Sequence, residues 1–342
     1  MNAPERVLNQ QTHHLASAVR TKPFAGPIVW DRDSLQKDDG LIRLDAGSRR
    51  ELDRIVDVLR HNPLPTPMLV PDEFEMPACR AMMTRAKTVL EEGVGFVIID
   101  RLPLEEYSVD EARAVYWLLA QLVSRPVAQS WEGKVIYDVR DFGKPPGNGV
   151  RPDITNAEQN FHTDNSYNLC PPEHVALLCL RPAMEGGISA VVSFYAVYNE
   201  MLRSHPGLVE RLFQPYLFDR QREHAPDEPK VLSHALFEYE RGEREDGRLL
   251  CRLSHRQVVN GYREAGVEPD AEGLEALETL ERTMMQPRFA REFFFEPGQI
   301  QIVDNIRCGH RRTGFKDYPE ENRKRHLIRL WLRDKGRRFY NG

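Results

Sequence analysis

Gln159-Asn160-Phe161-His162-Thr163-Asp164-Asn165 is the stretch on which the fold turns. It places an imidazole and a carboxylate two positions apart. Side chains along a β-strand alternate between faces, so a strand here projects His162 and Asp164 to the same side. A second imidazole, His310, follows 148 residues later in Asn305-Ile306-Arg307-Cys308-Gly309-His310-Arg311-Arg312-Thr313. Two imidazoles and one carboxylate can occupy one face of an octahedral ferrous ion and leave three positions open. The same donors suit manganese or zinc, so ligand type alone does not select the metal. With 11 histidines in the chain, a His-x-Asp pair also arises readily by chance, and its plain alternative is a polar turn after a strand.

The order of the surrounding parts narrows the choice. Gly186-Gly187-Ile188-Ser189 follows the His-x-Asp pair, and Arg325-His326-Leu327-Ile328-Arg329-Leu330-Trp331-Leu332 follows His310. This order resembles that of the taurine dioxygenase and 2,4-dichlorophenoxyacetate dioxygenase family of Fe(II)/2-oxoglutarate-dependent oxygenases. The Asn-x-Arg-x-x-His-x-Arg pattern from Asn305 to Arg312 is most similar to the clavaminate synthase and γ-butyrobetaine hydroxylase branches. The resemblance spans roughly residues 90 to 335. It implies a mainly β fold with flanking helices, namely a double-stranded β-helix or jelly roll. It also implies Fe(II) held by His162, Asp164 and His310, with 2-oxoglutarate as cosubstrate and O2 as oxidant.

A keto acid that chelates the metal needs a cation at its far carboxylate. Arg329 is the expected clamp, because guanidinium pairs with carboxylate in bidentate fashion. The resemblance places Arg325 near the metal-proximal carboxylate and a hydroxyl, here Ser189, on the far one. On a strand Arg325, Leu327, Arg329 and Trp331 share one face, and His326, Ile328, Leu330 and Leu332 share the other. The plain alternative for both arginines is a charged edge strand. The retained carboxylate Asp164 favours hydroxylation, since halogenating relatives replace it with a small residue. Asn165, Tyr167, Asn168 and Arg307 are candidate substrate-binding residues, with Tyr137, Arg140 and Asn305 behind them. A small polar acid such as an amino acid or betaine is the expected substrate. Two other classes remain open at this point: a cupin-like metal-dependent hydrolase or isomerase that turns over without oxygen, and a β-sandwich binding protein with a vestigial site.

Composition sets outer bounds. Of 342 residues, 41% are hydrophobic and 29% charged, and the formal net charge is −5, as in ordinary globular proteins. That charge gives no electrostatic case for nucleic acid. No run of ~18 apolar residues and no signal-peptide pattern is present, so no membrane partner and a cytoplasmic location are expected. Five irregularly spaced cysteines fit reduced thiols. A homo-oligomer is compatible with the sequence and not required by it.

Residues 1–25 are polar and aperiodic and are expected to be mobile. Residues 26–90 read as a helical segment packed on the core, with a capping box at Ser48-Arg49-Arg50-Glu51 and a second helix from about Pro77 to Glu92. Residues 91–342 read as the catalytic β-helix domain with a long insertion at about 205–290. Within it, Ser108 to Glu111 is another capping box, and Gly242 to Gly247 is the tip of an expected hairpin. Phe293 to Phe295 and Gln299 to Asp304 are expected to pair as strands across a Glu296-Pro297-Gly298 turn.

Overall fold

The computed structural model describes residues 19–145, 150–240 and 247–342. Along the chain come β1 (Leu41–Arg43), α1 (Ala46–His61), α2 (Pro77–Glu91), β2 (Phe96–Asp100), α3 (Val109–Gln121), β3 (Pro126–Val127) and β4 (Tyr137–Val139). Then follow β5 (Gln159–His162), β6 (His174–Arg181), β7 (Glu185–Gly186), β8 (Ser189–Ser193), α4 (Phe194–Ser204) and α5 (Pro206–Leu212). Next are β9 (Pro215–Asp219), β10 (Val231–Ala235), β11 (Phe237–Glu240), β12 (Arg248–Cys251), α6 (His255–Ala265) and α7 (Ala271–Met284). The chain closes with β13 (Ala290–Phe293), β14 (Ile300–Asp304), β15 (Cys308–Arg312), β16 (Phe315–Lys316) and β17 (His326–Leu332).

Two sheets build the frame. The larger runs β1-β2-β14-β6-β17-β3, with β4 also on β17, and the smaller runs β13-β8-β15-β5. All their pairings are antiparallel except β1 with β2. Together they form the double-stranded β-helix. Alternation along β17 decides what each face of the larger sheet does. Ile328, Leu330 and Leu332 point into one core with Leu52, Ile55, Met82, Met83, Val115 and Leu118 of α1 to α3. Trp331 on the opposite face joins Val191, Val192 and Phe161 of the smaller sheet in a second core. Arg329 projects to the same side as Trp331, so the polar site opens between the sheets.

Local readings fared unevenly. The Ser108 capping box forms in full at α3. The one at Ser48 does not: α1 starts three residues earlier, and Asp45 caps it by accepting from Ser48 N at 2.8 Å. Ser48 and Glu51 are buried, and Glu51 instead accepts from Ala78 N and Cys79 N at the start of α2, at 2.9 and 2.8 Å. Residues 293–295 and 299–304 do not pair. β13 lies on β8 in the smaller sheet and β14 lies between β2 and β6 in the larger one. The turn between them is therefore a crossover between layers. β11 and β12 do form a hairpin, whose tip falls outside the described residues. The excursion between the paired strands β8 and β13 begins at Phe194, ahead of the expected 205, because α4 starts directly off β8. Within the expected mobile segment, residues 1–18 lie outside the described residues; Phe24 is buried against Tyr195 and Tyr198, so the packed chain begins before residue 25.

Candidate active site

Neighbouring strands bring the two imidazoles together. His162 of β5 sits directly opposite His310 of β15 in the antiparallel register, and their rings are 4.3 Å apart. Asp164 follows in the turn after β5. Its Oδ1 lies 3.3 Å from His162 Nε2 and 3.5 Å from His310 Nε2. One ligand atom from each residue falls within 4.8 Å of the others. Two adjacent ligands of a metal at ~2.1 Å lie ~3 Å apart, so this donor set fits a facial site for a first-row metal.

The surroundings fix each ligand. His162 Nδ1 lies 2.9 Å from the Asn160 carbonyl, which makes it the donor and leaves Nε2 as the lone pair. Asn305 grips the Asp164 backbone from both sides, accepting from Asp164 N at 2.7 Å and donating to Asp164 O at 3.0 Å. Asp164 Oδ2 accepts from Trp331 Nε1 at 2.6 Å and lies 3.2 Å from Arg329 Nη1. Oδ1 alone is therefore turned toward the imidazoles. Against the cost of burial, the Arg329 guanidinium holds the Asp164 carboxyl well below the usual carboxylate range. Burial and the neighbouring His162 push His310 below the ordinary histidine value. Both ligands are thus in their metal-binding protonation states near neutral pH.

The arginines reverse their expected order. Arg329 stands at the metal end, ion-paired with Asp164 and, at 2.8 Å, with Asp153. Its Nε donates to Gln129 Oε1 at 2.8 Å, and Gln129 Nε2 donates back to the Arg329 carbonyl at 2.8 Å. Arg325 lies four residues, or ~13 Å, back along the chain, just ahead of β17. It shares a small cavity with Ser189 and Arg312, and both guanidiniums stack on Phe315, at 5.1 and 4.7 Å. Arg325 is 4% exposed, and its Nη1 has no hydrogen-bond partner. Burial and repulsion from Arg312 push its pKa down to about 9. A buried cation in that position is costly until an anion joins it. Position along the strand is legible in the sequence; distance from the metal ligands is not.

The four substrate candidates separate cleanly. Asn165 and Tyr167 line a cavity of about 270 Å³ that opens beside His162 and Asp164. Tyr167 bonds through its hydroxyl to Tyr340. Asn168 is buried away from the cavity and donates to the Tyr340 carbonyl at 3.1 Å. Arg307 is tied to Asp304 at 2.6 Å and to the Leu90 carbonyl, so it braces α2 against β14 and does not reach the cavity. Arg140 pairs with Glu321 at the surface. Gln129, Asp153 and Gln159 were not anticipated. The first two sit in irregular segments without periodic signal. Gln159 reaches His162 Nε2 at 2.8 Å because β5 is bulged between His162 and Gln159, which defeats simple alternation.

Fold and site together define a non-haem iron, 2-oxoglutarate-dependent oxygenase. The chain belongs to the taurine catabolism dioxygenase TauD, TfdA family, whose profile it matches over residues 68–331. FR-33289 synthase of Streptomyces rubellomurinus is 31% identical over 328 residues, covering 93% of each chain. The taurine hydroxylase-like protein SAT17 of Stachybotrys chartarum is 24% identical and covers 86% of this chain and 75% of its own length. Among solved structures, asparagine oxygenase with Fe(II), 3-hydroxyasparagine and succinate superposes with a TM-score of 0.63 at 19% identity, over 86% of this chain and 93% of that one. The non-haem iron oxygenase OrfP with (3S)-hydroxy-arginine gives 0.61 at 14% identity, over 86% and 94%.

Proposed function

We propose that this enzyme hydroxylates an unactivated carbon of a small polar molecule, coupled to conversion of 2-oxoglutarate to succinate and CO2. One observation carries the reading: three ligand atoms within 4.8 Å of one another, flanked by two buried arginines at different depths. When bound, ferrous iron supplies dioxygen activation, with electrons drawn from decarboxylation of the keto acid. The protein's own residues do the rest. His162, Asp164 and His310 hold the metal. Arg325 with Ser189 binds the far carboxylate of 2-oxoglutarate, and Arg312 adds positive charge to that pocket. Arg329 orients the metal-proximal end, held in place by Gln129 and Asp153. Trp331 and Arg329 keep Asp164 Oδ2 occupied, so the carboxylate offers one oxygen to the metal. A hydrolase or isomerase built on the same ligands has no use for the arginine pocket. The relatives' amino-acid products support a small polar substrate of that general size. We place the enzyme in the cytoplasm without nucleic-acid or membrane partners; five cysteines without disulfides suit that setting, and no described helix is long and apolar enough to cross a membrane.

The test is anaerobic addition of 2-oxoglutarate to the ferrous protein. A metal-to-ligand absorption band is expected in the wild type and absent in His310→Ala, with the far-ultraviolet circular dichroism unchanged. On admitting air, succinate should form in proportion to oxygen consumed. Wild-type-like iron affinity in His310→Ala, or turnover that needs no oxygen, sinks the assignment.

A further inference from the structure

Asn165 differs from Tyr167, Asn168 and Arg307 in having no hydrogen-bond partner for its side chain among the described residues. It is 5% exposed, and neither its Oδ1 nor its Nδ2 has a hydrogen-bond partner among the described residues. It follows the ligand Asp164 directly and lines the cavity beside the metal site. Its backbone is left-handed, with φ at 58°, a conformation asparagine tolerates better than most residues. The turn around it is fixed. Its carbonyl accepts from Asn168 N at 3.1 Å, and the hydroxyls of Thr163 and Ser166 bond each other at 3.0 Å. The chain therefore holds a carboxamide rigidly at the site and leaves all its bonding capacity unused. Buried polar groups are rarely left so, because the cost of desolvating them is not recovered.

The remaining unused groups on this cavity are mostly acceptors. Gln257 Oε1 is buried without a partner, and both Asp153 oxygens lack hydrogen bonds, one of them meeting only the Arg329 ion pair. A ligand that satisfies this wall brings N–H donors. Asn165 asks for one donor and one acceptor in a single plane. A lone ammonium or a carboxylate meets half of that demand. A primary amide meets it in full through two parallel bonds. The cavity volume lies just under the range of drug-sized pockets, which keeps the molecule small.

We propose that the substrate of this oxygenase is a small amide-bearing molecule whose amide edge pairs with the Asn165 carboxamide, presenting a neighbouring C–H bond to the metal. This rests on the iron and 2-oxoglutarate reading above. The experiment uses the anaerobic ferrous enzyme loaded with 2-oxoglutarate and follows the change in its absorption band as probes are added, which needs no turnover. Primary amides from butanamide to hexanamide are compared with the matching carboxylates and methyl esters. The amides should perturb the band at concentrations about tenfold or more below the esters and acids, since a site built to bond N–H rejects analogues lacking it. Asn165→Asp and Asn165→Leu should lose that preference while the band itself forms as in the wild type. Equal response to amides and esters, no response to any amide, or an unchanged preference in Asn165→Leu overturns the proposal. Failure of the band to form before any probe is added overturns the iron and 2-oxoglutarate reading, and this one with it.

Discussion

Arg325 and Arg329 show what a single side chain can and cannot reveal before its surroundings are known. Their shared strand face follows from alternation, and so does the company of Trp331. Which of them stands beside Asp164 depends on where β17 crosses β5 and β15, which no local pattern encodes. The His162, Asp164 and His310 set was legible because metal chemistry restricts the residue types and their order. Arg307 was misread because a buried arginine near a ligand has the same sequence signature whether it holds substrate or, as here, Asp304. The corrected placement yields a sharp expectation. Arg325→Ala should weaken 2-oxoglutarate binding by about 2–5 kcal/mol, roughly 30-fold to several thousand-fold, in anaerobic titration. Arg329→Ala should instead lower the ratio of product to succinate, with a smaller change in affinity; the opposite pattern would restore the original order. Acidity gives a second expectation. Burial and the neighbouring His162 lower the pKa of His310, and Arg329 lowers that of Asp164, so both stay deprotonated at neutral pH. Iron affinity, measured by equilibrium dialysis, should fall as pH drops through the lowered His310 value. The unfolded chain binds the histidine proton first on acidification, so the metal-free fold should lose stability over the same lower range.

Glu51 carries the argument at the level of elements. α2 begins with Pro77, and Met76 before it provides no side-chain cap. The free amides of Ala78 and Cys79 are satisfied across space by Glu51 of α1. The Ser48–Glu51 spacing matched a capping box, yet the carboxylate caps a different helix, because Asp45 had already closed the first one. Glu51→Ala leaves one buried and one half-buried amide unsatisfied and should destabilise the fold by about 1–3 kcal/mol. Thermal unfolding should shift down by a few degrees, with Glu51→Gln intermediate; no shift would mean that water replaces the carboxylate without loss. Helices with strong start signals, such as α1, α2 and α3, were legible to within a few residues. α4 and α6 were not, since each follows directly on a β-rich run. The supposed pairing of 293–295 with 299–304 failed for a related reason. A Gly-containing turn between two apolar runs looks the same whether the chain folds back in one sheet or passes to the next.

Over the whole molecule, the double-stranded β-helix was legible from the resemblance. The position of the C-terminal residues was not. After β17 the chain turns back, Arg333 bonds the Arg337 and Phe339 carbonyls, and Tyr340 stacks on Trp331 behind the metal site. The division of labour between the sheets has a mechanical consequence. Both imidazoles belong to the smaller sheet, while Arg329 and Trp331 project from the larger one. Metal and keto acid together would fasten one layer to the other, as a rivet joins two plates. Loading should therefore protect the fold as a unit. Ligands at about 100 times their Kd add ~2.7 kcal/mol, so ferrous iron plus 2-oxoglutarate under argon should raise the unfolding temperature by several degrees. In Arg325→Ala the iron increment should survive and the keto-acid increment should shrink to under about 1 kcal/mol, because the rivet would then have lost its head on one of the two plates.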